Sequence, residues 1–243
     1  IDLAGVFMSE GIDFTFPFGT TLAAGERILV VRDLVAFETI YGAGHAIAGI
    51  FENETALNNS GERLTLKAKD GSLIQSFSYS DQFPWPMLAD GGGASLILRK
   101  AGSHPNASIP ENWRSSVSED GNPGSSDAVV FAGVASADAD GDGLTALMEY
   151  ALGTSDENAS DGMQALQLEN SSEGLMLRLR EAAGADDAVL EVEVSNGLAS
   201  WNSLSDELVA EGQNNLNGGI RESLFSINGT GEQLFFRLKV RAR

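Results

Sequence analysis

The sequence predicts a mainly β protein: two β-sandwich domains joined by an acidic connector that carries a short helix. Three observations lead there. Short β-prone stretches recur between turn signals in both halves of the chain. The run Glu119-Asp120-Gly121-Asn122-Pro123-Gly124-Ser125-Ser126-Asp127 gathers Gly, Pro, Asn and Ser between those halves, as a domain boundary does. Half of the formal charge of −20 falls on residues 115–162, which hold ten acidic side chains and no basic one. A run of that kind ordinarily stays solvated. At 243 residues the chain also exceeds one ordinary domain. The expected boundaries are therefore 1–124, 125–162 and 163–243.

In the first domain, strands are expected over 12–16, 27–32, Arg63–Lys67, 73–79 and 95–99. Leu64-Thr65-Leu66-Lys67 and Ile74-Gln75-Ser76-Phe77-Ser78-Tyr79 alternate or nearly so, as half-buried antiparallel strands do, and Asp70-Gly71 between them is a hairpin turn. Leu34, Phe37 and Tyr41 stand at helical spacing behind an Asp33 cap, and Gly42 and Gly44 end that helix. In the last domain, strands are expected over 174–181, 188–194, 223–227 and 233–240. Arg178, Arg180, Arg237 and Lys239 alternate with apolar neighbours there, giving one wet face and one dry face.

Composition removes several function classes. With no cysteine, disulfides, iron–sulfur clusters, thiol catalysis and thiolate zinc are excluded. His45 and His104 are the whole imidazole supply, so a multi-histidine metal site is excluded too. A pI near 4.2 gives a surface that repels phosphate backbones, so no nucleic-acid partner is expected. No apolar run reaches the roughly 20 residues that span a bilayer. No GxSxG elbow occurs, and neither histidine has an obvious acid beside it in the sequence. Six Asn-x-Ser/Thr sequons begin at Asn53, Asn58, Asn106, Asn158, Asn170 and Asn228; in an Asn- and Ser-rich chain they carry little weight.

Separate motifs of the first half occur in the order of a known family. They are Ile1-Asp2-Leu3-Ala4-Gly5, Gly25-Glu26-Arg27-Ile28-Leu29-Val30-Val31 and Asn59-Ser60-Gly61-Glu62-Arg63-Leu64-Thr65-Leu66, followed by Tyr79-Ser80-Asp81 with Pro84-Trp85-Pro86. Ala89-Asp90-Gly91-Gly92-Gly93-Ala94-Ser95-Leu96, Asn112-Trp113-Arg114 and Gly121-Asn122-Pro123-Gly124 complete the set. Together they resemble the bacterial branch of the lamin tail domain, and the resemblance implies an immunoglobulin-like sandwich over 1–124. Members of that family carry one or two strands ahead of the Ile1-Asp2-Leu3 segment. The chain is therefore expected to be part of a longer protein whose upstream sequence supplies them. By residue chemistry alone, Trp85 between two prolines is a packing anchor, with a ligand platform as the alternative. Trp113 is expected to cap one end of the core. Asp90-Gly91-Gly92-Gly93 has no phosphate-loop pattern around it and is expected to be a tight loop.

The sharpest chemistry is Asp138-Ala139-Asp140-Gly141-Asp142-Gly143-Leu144-Thr145-Ala146-Leu147-Met148-Glu149, which fits D-x-D-x-D-G-x5-E throughout. A hard cation takes six to eight oxygens, and this spacing wraps the backbone around one. Asp138, Asp140 and Asp142 would offer carboxylates, Leu144 its carbonyl and Glu149 both oxygens, with Gly143 allowing the turn and water opposite Ala146. Ca²⁺ is the cation expected, because Mg²⁺ tolerates flexible many-oxygen cages poorly. Leu144, Leu147, Met148, Ala151 and Leu152 then mark a helix face, stopped by Gly153. No helix is expected before the loop, and no second complete loop follows it. The arrangement is similar to the isolated structural calcium loops of dockerins and bacterial thrombospondin-type-3 repeats.

The function expected is a non-catalytic structural or interaction module of a secreted or cell-surface bacterial protein, with calcium rigidifying the connector. Its partners would be neighbouring domains of the parent protein, with a surface protein or polysaccharide as a further one. An accessory region of a larger secreted enzyme (hydrolase, nuclease or kinase-like) is the alternative, as is a carbohydrate-binding module displaying an exposed strip of Trp85, Trp113 and Trp201. The strings Val192-Glu193-Val194-Ser195-Asn196 with Trp201, and Phe235-Phe236-Arg237-Leu238-Lys239-Val240, weakly resemble C-terminal sandwich modules of large bacterial surface proteins.

Overall fold

The computed structural model describes residues 1–172, 174–203, 207–228 and 233–243. It is mainly β, with several separate sheets of the sandwich type, and divides into two compact units. The first comprises Ile1–Asp90, Ser95–Arg114 and Asp120–Ser126, the second Gly91–Ala94, Ser115–Glu119 and Asp127–Arg243.

In the first unit, β1 (Phe7–Glu10), β2 (Phe14–Thr15), β5 (Arg63–Lys67) and β6 (Leu73–Ser78) form an antiparallel sheet in the order β2-β1-β5-β6. Leu64 faces Phe77 across the β5–β6 hairpin. Its turn is the expected Asp70-Gly71: Gly71 has φ +86°, and the Asp70 carboxylate accepts from the Ser72 backbone N–H and hydroxyl. β3 (Leu29–Val31) pairs in parallel with β4 (Ile47–Ile50), and α1 (Leu34–Tyr41) makes the crossover. Asp33 caps α1 by accepting from Ala36 N–H at 3.0 Å, and Gly42 ends it. No residue of α1 is buried. Strand β7 (Leu96–Leu98) pairs with β8 (Trp113–Ser115). The 90–93 stretch turns into β7 rather than into a helix N-terminus, so the tight-loop reading holds.

Two apolar centres organise this unit. Val6, Phe14 and Phe16 are buried with Leu3, Ile28, Val30, Ala48 and Leu66 against them, and the two phenylalanine rings meet edge to face at 5.0 Å. Gly49 lies over this cluster, and a Cβ there would come within 2.8 Å of the Phe14 ring. The second centre stacks Trp113 between Phe77 and Trp85, with centroids 5.2 and 5.8 Å away. Trp85 is buried, and Trp113 donates from Nε1 to the Ala107 carbonyl. Both tryptophans are therefore packing groups.

The second unit has two antiparallel sheets and a helix. Short α2 (Ala146–Leu152) precedes β9 (Leu166–Ser171), β10 (Gly174–Ala182), β11 (Ala188–Ser195), β12 (Asn202–Ser203), β13 (Leu208–Leu216), β14 (Ile220–Ile227) and β15 (Phe235–Ala242). Their order is β13-β14-β10-β9 in one sheet and β12-β11-β15 in the other. The expected alternation is present in β10, where Leu177 and Leu179 are buried while Arg178 and Arg180 reach Glu222 on β14, both at 3.1 Å. On β15, Arg237 and Lys239 likewise hold Glu193 of β11.

Residues from Asp127 onward fall in this unit, so most of the segment expected as a connector is packed with the C-terminal sheets. Helix α2 lies against β10, β11 and β15. Its Leu147 and Ala151 join Ala188 in a buried cluster, with Phe131, Tyr150, Leu190 and Val240 around it. The Tyr150 hydroxyl donates to the Val129 carbonyl and accepts from Asp187 N–H, whose own carboxylate accepts from Phe131 N–H at 2.7 Å. Gly153 closes the helix at φ +77°, and a Cβ there would stand 2.4 Å from Ile220 Cδ1. Only glycine satisfies both the left-handed turn and that close approach.

Candidate metal centre

The acidic loop turns on Gly141 (φ +78°) and Gly143 (φ +95°), conformations that glycine adopts freely. The aspartates then bind the loop's own amides. Asp138 accepts from Gly141 and Gly143 N–H at 2.8 and 3.1 Å, Asp140 from Asp142 N–H at 3.1 Å, and Asp142 from Leu144 N–H at 2.7 Å. These bonds point three carboxylates at one another: Asp138, Asp140 and Asp142 each offer an oxygen within 4.8 Å of the other two. That is the spacing at which a single ion can be shared, and without one the charges repel.

The far end of the motif is set by α2. Thr145 caps it by accepting from Met148 N–H, and Ala146 N–H donates to the Ala137 carbonyl at 2.7 Å, tying the helix start to the irregular segment before the loop. Four residues after the cap, Glu149 enters the interior with 1% of its surface exposed. Its Oε1 accepts from the Thr154 hydroxyl at 3.3 Å, while Oε2 is buried with no hydrogen-bonding partner among the described residues. Asp140 Oδ2 is buried and unpartnered in the same way. Burial, contact with the Asp156 carboxyl and the charges of Asp140 and Asp156 push the Glu149 carboxyl up to about 7. An orphaned carboxylate oxygen that deep in a fold needs a proton or a cation. The donor set, all oxygen and mostly anionic, fits a hard divalent cation.

The expected ligands Asp138, Asp140 and Asp142 are thus brought together, and Glu149 is buried within the electrostatic reach of Asp140. Leu144 follows Gly143 in the turn, its N–H held by Asp142. Two of the three acids in the loop after α2 accept from backbone amides. Asp156 accepts from Ala139 N–H at 3.0 Å, and Asp161 accepts from Ser155 N–H at 3.1 Å with its Oδ1 buried and unpartnered. Sequence reading passed over both because 156–162 lacks a complete loop of its own. The signal was Gly153, which reverses the chain and carries the acids behind it back to the first loop.

The other polar candidates take ordinary roles. His45 Nε2 lies 3.2 Å from the Tyr41 carbonyl, and its ring meets Phe37 edge-on. The asparagines of five sequons are exposed; the sixth, at Asn228, runs into residues 229 and 230, outside the described residues. Arg237 sits 4.1 Å over the Trp201 ring. No helix among the described residues is long and apolar enough to cross a membrane. Comparison of the chain with protein-family models, with curated proteins and with solved structures finds no match in any of the three.

Proposed function

We propose that this chain is a non-catalytic structural or interaction module of a secreted or cell-surface bacterial protein, and that Ca²⁺ rigidifies its acidic segment. The observation that carries the reading is the buried, unpartnered Oε2 of Glu149 at the closing position of a loop whose three aspartates already converge. Asp138, Asp140, Asp142 and Glu149 would hold the ion with their carboxylates and Leu144 with its carbonyl. The ion would supply charge neutralisation, turning a self-repelling loop into a fixed support for α2. Extracellular modules of this kind bind at about 10⁻⁴–10⁻³ M, a range suited to surroundings rich in free calcium. The acidity of the chain, its lack of cysteine and the lamin-tail-like motifs of residues 1–124 support a place outside the cytoplasm beside other domains of a longer protein.

The carbohydrate-binding alternative loses its support, because Trp85 is buried, Trp113 is packed on it and Trp201 is covered by Arg237. Calorimetric melting of the whole chain in calcium, in magnesium and in chelator tests the proposal. An ion at a hundredfold excess over its dissociation constant stabilises by about 2.7 kcal/mol. Calcium should raise a transition, magnesium raise it less and chelator lower it; identical traces in calcium and chelator would remove the site.

A further inference from the structure

The twelve-residue motif assigns its ligands up to Glu149 and none beyond. Past Gly153, however, the chain folds back, and the side chain of Asp156 reaches the loop from outside it. One of its oxygens accepts from the backbone N–H of Ala139, the residue between the first two aspartates, at 3.0 Å. Its negative charge also bears on the buried Glu149 carboxyl. Carboxylates gathered around one loop repel unless something positive lies between or beside them. The unpartnered Oε2 of Glu149, on a residue only 1% exposed, marks where that positive charge belongs. The return loop is itself braced for this placement. Asp161 fixes Ser155 N–H next to Asp156, and Gly162 backs onto the loop so closely that a Cβ would lie 3.3 Å from Asp142 Oδ2.

We propose that Asp156 is a further ligand of the cation, so that the site is closed by the loop after the helix as well as by the helix itself. The proposal rests on the calcium reading above and deepens it. A fifth carboxylate raises the oxygen count and the negative charge of the cage, both of which tighten calcium binding. It also ties residues 154–161 to the ion, so that binding orders the chain on both sides of α2.

Asp156→Asn tests this, since it keeps the shape and an acceptor for Ala139 N–H while removing the charge. Glu157→Gln serves as the control, because Glu157 is exposed and adjacent and carries the same charge. Calcium titration calorimetry on the whole chain should show affinity reduced about tenfold or more by Asp156→Asn and by less than about twofold by Glu157→Gln. In chelator, Asp156→Asn should melt at a higher temperature than the wild type, because one of the negative charges bearing on Glu149 has gone. Equal affinities of Asp156→Asn and wild type, equal losses in the two variants, or a lower melting temperature of Asp156→Asn in chelator would each overturn the proposal. Failure of the underlying reading looks different: the wild type itself would take up no calcium.

Discussion

Glu149→Gln removes the charge from the most deeply buried acid of the candidate metal centre and keeps its volume. An ordinary glutamate sits at 4.5, whereas in the ion-free fold Glu149 is raised to about 7 by burial, by the Asp156 carboxyl and by the charge of Asp140. The folded chain therefore holds this proton more tightly than the unfolded chain. Its contribution to stability is most favourable below the unfolded value, declines between 4.5 and about 7, and is a full penalty above that. One unit corresponds to about 1.4 kcal/mol, so the penalty is on the order of 1–3 kcal/mol, the lower end allowing for solvent that enters the open loop. Melting in chelator at about pH 8 should show Glu149→Gln more stable than wild type by roughly 2 °C or more, with the difference closing as the pH approaches the ordinary glutamate range. In calcium the order should reverse, because the variant has lost the closing ligand. A wild type as stable as the variant in chelator throughout this pH window would mean that the Glu149 carboxyl is not raised in the fold.

Two packing predictions accompany it. Gly153→Ala forces a left-handed residue and drives a methyl group into Ile220, so urea unfolding should show a loss of about 1–3 kcal/mol. Leu177→Ala empties a fully buried position of the second unit and should lose about 2–5 kcal/mol by the same measurement. An unchanged midpoint in either variant would contradict the packing described around it.

Much of the architecture was legible locally. The Asp70-Gly71 hairpin and the Asp33-capped helix are written in contiguous residues and are present where expected. So is the Arg-Leu alternation of β10, because each depends on neighbours a few positions away. Strand β4 was not legible: Ile47-Ala48-Gly49-Ile50 sits in an Ala- and Gly-rich stretch that reads as loop. Its glycine is required by the Phe14 ring, far away in sequence. Strand β13 was hidden for a related reason. Its Gly212-Gln213-Asn214-Asn215 run has turn composition, yet it pairs with β14 up to Leu216 and Ile220 through a bulge near Gly212. At the site, the order of the aspartates and glycines was readable because the twelve-residue pattern is a local motif. What takes the apolar face of α2 was not. The same residues that suggested a helix in a linker, Leu147 and Ala151, are buried on Ala188 of the C-terminal sheet. Asp156 escaped for the same reason, since its place depends on the chain reversal at Gly153 and the amide of Ala139.

The most direct test is a crystal structure of the whole chain grown with calcium, with the ion identified by its anomalous signal. One ion should lie at about 2.3–2.6 Å from carboxylate oxygens of Asp138, Asp140, Asp142 and Glu149 and from the Leu144 carbonyl. Carboxylates turned outward into solvent, with no ion among them at saturating calcium, would contradict it.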